Sequence, residues 1–101
     1  MWIVLMFDLP VVEPEERKAA NRFRKDLKLC GFTMMQLSVY TRHAASDENA
    51  QIHLKKVKGF LPDKGEVRSL MITDKQFERM QVFYGKMRKP AERAPAQLEF
   101  L

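Results

Sequence analysis

The strongest constraint on the fold is the N-terminal run Met1-Trp2-Ile3-Val4-Leu5-Met6-Phe7, seven apolar residues that stop at Asp8, with Pro10 two places on. An unbroken apolar run of this length reads as a strand buried on both faces. A proline cannot donate to a ladder, so the strand ends near Pro10 and leaves Asp8 at its carboxyl end. A carboxylate there must be solvated, paired or bound to a cation, because burying it alone is very costly.

The remaining elements follow in order. Pro14 suits the first position of a helix, with Glu15 and Glu16 at the positive end of its dipole. Ala20, Phe23, Leu27 and Cys30 recur at spacings of three and four as one buried stripe, and Gly31 is the expected stop. The other faces carry Arg17, Lys18, Arg22, Arg24, Lys25 and Lys28 against Asp26 alone. Phe32 to Arg42 reads as one long second strand, because no turn residues interrupt it. A second helix runs from a cap at Ser46 or Asp47 to about Phe60, with Ala50, Leu54, Val57 and Leu61 inward and Lys55, Lys56 and Lys58 outward. Glu66 to Thr73 is a third strand, Asp74 to Arg79 a short helical turn, and Met80 to Tyr84 a fourth strand. The expected fold is an α+β, ferredoxin-like sandwich: a four-stranded, mainly antiparallel sheet with two helices on one face. Residues 1–85 form this domain; residues 86–101 are a basic linker and a C-terminal strand, in which Leu98, Phe100 and Leu101 seek a sheet edge on a partner.

Two helices cover one face of such a sheet. The row Trp2, Val4 and Met6 on the other face therefore needs a cover, and a second copy about a two-fold axis is the simplest one. Asp8 shares the parity of that row, so the dimer brings two carboxylates together, which need a cation or a shared proton. A hard cation such as Mg²⁺ suits one or two carboxylates with water, and could polarise a phosphodiester. Asp8 is thus the candidate metal and catalytic residue; its structural alternative is an acid that caps Arg17 or a backbone amide.

Composition narrows the rest. Lysine and arginine outnumber aspartate and glutamate by 18 to 13, a net charge of +5 that favours a polyanionic partner. Cys30 is the only cysteine, which excludes an internal disulfide and points to a reducing, cytoplasmic setting. His43, His53 and Cys30 lack zinc-site spacing, the four isolated glycines form no phosphate loop, and Ser38 has no visible base. The aromatic residues mostly lie in strand-like apolar runs rather than among the basic residues. This argues against a stacking platform and for phosphate contacts along duplex DNA from Arg17, Lys18, Arg22, Arg24, Lys25 and Lys28.

Four stretches together resemble the CRISPR-associated protein 2 family, in the branch found beside RNA-guided interference nucleases: Val4-Leu5-Met6-Phe7-Asp8-Leu9-Pro10, Leu29-Cys30-Gly31-Phe32, Gln36-Leu37-Ser38-Val39-Tyr40, and Thr73 to Met80. The resemblance spans Met1 to Gly85. It implies a ferredoxin-like fold whose second strand bends, a symmetric homodimer, and a role in CRISPR spacer acquisition. In that role the dimer bridges larger integrase subunits and holds duplex DNA. It also implies a Mg²⁺-dependent endonuclease acting on RNA or DNA, with the metal aspartate at Asp8. Many members have tyrosine where this chain has Phe7, so a hydroxyl is missing here. The family's C-terminal segment docks by strand addition, which corresponds to Gln97 to Leu101.

Overall fold

The computed structural model describes residues 1–87. Its elements are β1 (Trp2–Asp8), α1 (Pro14–Leu29), β2 (Thr33–Gln36), β3 (Val39–His43), α2 (Asp47–Lys58), β4 (Glu66–Ile72) and α3 (Asp74–Glu78). The four strands form one sheet in the order β2-β3-β1-β4, and every neighbouring pair is antiparallel. Strand-helix-strand twice over, interleaved in this order, is the ferredoxin-like arrangement. The apolar run is the central strand β1, which explains why it has no polar face.

One expectation is corrected at the second strand. Phe32 to Arg42 is two strands, β2 and β3, joined through Leu37 and Ser38. Two-residue hairpin loops need positive φ, usually supplied by Gly or Asn. Ser38 takes φ 65° instead, so the turn carries no compositional mark. Splitting the strand restores the βαββαβ order. The register also shifts between Met34 and Gln36, an irregularity that bends the edge.

A second correction concerns Met80 to Tyr84, which forms no strand in the chain's own sheet. Met80, Val82 and Phe83 are exposed there. The short turn before them is the helix α3, started by a capping box: Gln76 N donates to Thr73 Oγ1 at 3.0 Å, and Thr73 N to Gln76 Oε1 at 2.8 Å. The docking residues Leu98, Phe100 and Leu101 lie outside the described residues.

The core lies between the sheet and the two long helices. Ile3, Leu5 and Phe7 of β1 pack with Phe23 and Leu27 of α1, Tyr40 of β3, and Ala50 and Val57 of α2. Phe23 meets Phe7 edge-on at 5.1 Å, the arrangement that ring quadrupoles favour. The helical stripe holds for Ala20, Phe23 and Leu27, whereas Cys30 is only half-buried and Leu61 is exposed. Both misplaced residues lie just past a helix end, where the helical period no longer applies.

α1 ends in a Schellman motif. Phe32 N donates to Leu27 O at 3.0 Å and Gly31 N to Lys28 O at 3.0 Å, with Gly31 at φ 86°. Arg42 reaches across this glycine and donates from Nη1 to Cys30 O. It thereby places a cation at the negative end of the helix. A Cβ at position 31 would collide with this guanidinium, lying 2.9 Å from its Cζ.

Candidate nucleic-acid interface and acid site

Asp8 is the last residue of β1 and is exposed. It lies on the face away from α1 and α2, because Ile3, Leu5 and Phe7 take the other parity. The alternative of an Arg17 cap does not form: among the described residues Asp8 is in no ion pair. Arg17 donates instead to Val11 O at 3.2 Å and Val12 O at 2.7 Å. Glu16 accepts from Glu13 N at 2.9 Å and Val12 N at 3.1 Å. Adjacent charges at the start of α1 thus clamp the loop that follows Asp8. The amide of Glu13 and, less strongly, Lys64 hold the Glu16 carboxyl below its usual range.

Three further features converge on Asp8. Glu66 of β4 is its register partner, so two carboxylates share one face at the end of the sheet; Glu66 is also bridged to Arg68 at 3.1 Å. The tip of the β2–β3 hairpin lies on the other side of β1, where Phe7 N donates to Ser38 O at 3.0 Å. Gly65, at φ 100°, packs closely on the backbone of Asp8 and Leu9: a Cβ there would stand 2.8 Å from Asp8 O and 2.7 Å from a Leu9 methyl. Sequence reasoning missed Glu66, because its position opposite Asp8 depends on the register between the first and last strands of the sheet.

The face that holds Asp8 is apolar along β1 but unevenly covered. Phe77 of α3 stacks on Trp2 with ring centroids 3.9 Å apart and planes within 7°, and His43 meets the indole edge-on at 5.1 Å. Asp74 accepts from the Met1 ammonium at 2.7 Å and contacts His43 Nε2 at 3.1 Å, fixing α3 over this end. The ammonium, followed by His43, keeps the Asp74 carboxyl below its usual range. Val4 is buried, but Met6 is 36% and its neighbour Leu70 53% exposed. The expectation of a bare row is corrected at Trp2 and Val4, which the chain itself covers, and stands only at Met6.

The candidate phosphate contacts separate into two groups. Arg17, Lys18, Arg22, Lys25 and Lys28 are exposed, and Lys18, Arg22 and Lys25 share one stripe of α1 at helical spacing. Arg24 points differently: its guanidinium carbon lies 5.9 Å from the Phe7 ring centroid, and its Nε is buried without a hydrogen-bond partner. Burial raises the Tyr40 phenol above its usual range, and Arg24 partly offsets this. Arg24 thus sits over the aromatic core, while its neighbours on the helix face solvent. Lys55, Lys56 and Lys58 extend the cationic helix layer onto α2.

The geometry defines a ferredoxin-like domain with an acid at the end of its central strand and cations on its helix layer, and comparison with known proteins places it in a family. The family model for CRISPR associated protein Cas2 matches residues 1–80. A CRISPR-associated endoribonuclease Cas2 from Parvibaculum lavamentivorans is 56% identical over 98% of this chain and 98% of its own length. A protein of the same name from Flavobacterium psychrophilum is 46% identical over 98% of this chain and 86% of its own. The crystal structure of Streptococcus pyogenes Cas2 at pH 6.5 shares the fold, with a TM-score of 0.62 and 16% identity over 83% of this chain and 100% of that one. The chain belongs to the Cas2 family.

Proposed function

We propose that the protein acts in CRISPR spacer acquisition as a symmetric dimer that holds duplex DNA and bridges integrase subunits, and that it carries a Mg²⁺-dependent endonuclease site at paired Asp8 residues. The observation that carries this reading is the partly covered face of β1, where Met6 is exposed two residues before the exposed carboxylate of Asp8 and Leu70 of β4, opposite Val4, is exposed on the same face. A second copy seated there removes the apolar patch from water. The two-fold axis then brings the acids toward each other.

The donor set suits the metal. Asp8 and Glu66 offer one or two carboxylates per chain, the number Mg²⁺ takes while keeping most of its waters. Among the described residues no group of three or more metal-binding side chains occurs, which disfavours a closed zinc-type site. When bound, the cation supplies polarisation of the phosphodiester and activation of water. The chain itself fixes the carboxylate at a strand end and, through Arg17 and Glu16, the loop beside it. Lys18, Arg22, Lys25 and Lys28 hold backbone phosphates without reading bases. Leu98, Phe100 and Leu101 add a strand to the integrase, a role that the alternation of Gln97 to Phe100 supports.

A second reading, that the protein is first an endoribonuclease, is supported by the name its relatives carry. Asp8→Ala tests both. RNA cleavage by the wild type in Mg²⁺ and its loss in Asp8→Ala supports the site, whereas undiminished cleavage refutes it. Unchanged spacer integration by Asp8→Ala makes the DNA-holding role sufficient; its loss favours the nuclease. A monomer in sedimentation at micromolar concentration would refute the paired arrangement.

A further inference from the structure

The acid site needs a cation that the helix layer cannot give it. Lys18, Arg22, Lys25 and Lys28 are carried by α1, and Asp8 lies on the face of the sheet away from α1. A nucleic-acid strand held by those side chains is on the wrong side of its own subunit to meet the carboxylate. At Asp8 the register adds Glu66, a second carboxylate on the same face. Two carboxylates repel a phosphodiester. Even with Mg²⁺ bound, the two charges of the ion are cancelled by these two acids. A strand brought to Asp8 therefore needs positive charge on the acids' own face.

Among the described residues the four strands carry two lysines or arginines, Arg42 and Arg68. Arg42 is the register partner of Ile3, on the helix side, and is engaged by Cys30 O. Arg68 is the register partner of Met6, which has the parity of Asp8, so Arg68 shares the face of the acids. Asp8 and Arg68 are diagonal neighbours across the β1–β4 pair, about 7–8 Å apart at the backbone, a gap that a long side chain spans. The guanidinium is turned toward that end of the sheet, because its Nε donates to Glu66 Oε1 at 3.1 Å. This is the only hydrogen bond that Arg68 makes to a described residue, and it leaves both terminal nitrogens, the donors that fit a phosphate. The side chain is 71% exposed, and an exposed ion pair of this kind adds little to stability. The guanidinium is thus held beside the acids by one bond and is otherwise uncommitted.

We propose that Arg68 is a substrate-binding residue whose guanidinium holds a phosphodiester of an RNA strand lying at Asp8, with Glu66 positioning it there. The proposal rests on the nuclease reading above, and its test separates the two. Arg68→Ala, Arg68→Lys and Glu66→Gln are compared with the wild type as full chains. The measurements are the thermal midpoint, Kd for a short mixed-sequence single-stranded RNA in EDTA across a salt series, and kcat and KM for cleavage of that RNA in Mg²⁺. Arg68→Ala should melt with the wild type, yet weaken Kd and raise KM about tenfold, the worth of one charge-assisted contact, with kcat unchanged. Its binding should also lose roughly 0.7 from the salt slope, the value for one single-strand phosphate, which a merely structural role would not move. Arg68→Lys should keep the slope and recover part of the affinity, because it retains the charge and loses the fork. Glu66→Gln frees the guanidinium and removes a repelling charge, so it should tighten Kd about threefold. Wild-type affinity and salt slope in Arg68→Ala overturn the proposal, as does a joint fall in melting and affinity that Arg68→Lys does not restore, or a wild type that does not bind this RNA. If the wild type binds the RNA but does not cut it, the nuclease reading falls, and the Kd and salt slope of Arg68→Ala alone decide: a loss in both upholds the contact and unchanged values remove it.

Discussion

Gly31→Ala should be among the most destabilising single-methyl additions in this chain, for two separable reasons. The residue sits at φ 86°, and placing a Cβ in the left-handed region costs about 1–2 kcal/mol. The new methyl also occupies the path of the Arg42 guanidinium. That side chain is flexible and can swing away, so the steric term is small. What is lost is its bond to Cys30 O, and a hydrogen bond from a charged donor is worth about 1.5–3 kcal/mol. Together the two effects predict about 2.5–5 kcal/mol, a fall in Tm of roughly 10–40 °C for a domain of this size. Urea unfolding of the wild type, Gly31→Ala, Arg42→Met and the double variant measures the coupling. The glycine substitution should cost about 1–2 kcal/mol in the Arg42→Met background and clearly more in the wild type. Equal costs in both backgrounds would show that Arg42 does not depend on the bare glycine, and a loss under about 0.5 kcal/mol would refute both parts of the reasoning.

Acid should loosen α3 through Asp74. Its carboxyl titrates below the ordinary value of 3.8 in the folded chain, chiefly because of the Met1 ammonium. The contribution is therefore present above that value and lost as pH falls through the lower, folded one. Trp2, the only tryptophan, reports this by fluorescence, and Asp74→Asn should lack the acid step that the wild type shows below about pH 4. Met6→Lys with Leu70→Lys should convert the proposed dimer to a folded monomer in sedimentation without lowering the core's resistance to urea. Reversing Lys18, Arg22 and Lys25 to glutamate should weaken duplex binding and reduce its salt slope by roughly 0.9 for each phosphate no longer neutralised. Arg24→Ala should register mainly as lost stability, because that side chain leans on Phe7.

Much of the fold was readable from residue spacing. The period of α1 placed Ala20, Phe23 and Leu27 in the core, and the apolar run marked β1 as central and Asp8 as its exposed end. The hairpin was not readable, because Ser38 performs a turn that composition assigns to Gly or Asn. Glu66 was invisible as a neighbour of Asp8, since register between strands nearly sixty residues apart depends on the whole sheet. Phe77 gave no sign that it would shield Trp2; the stacking exists only because α3 folds back. Met80 to Tyr84 has the β-branched and aromatic residues of a strand, but composition says nothing about which edge is available, and the chain's own sheet takes none of it.

The cations of α1 and the acid of β1 are turned toward opposite sides of a single layer of strands. A polyanion resting on the helices is thereby kept out of reach of the carboxylate in the same subunit. Gripping and cutting need not share a strand, and a compound or substitution that blocks one should leave the other intact.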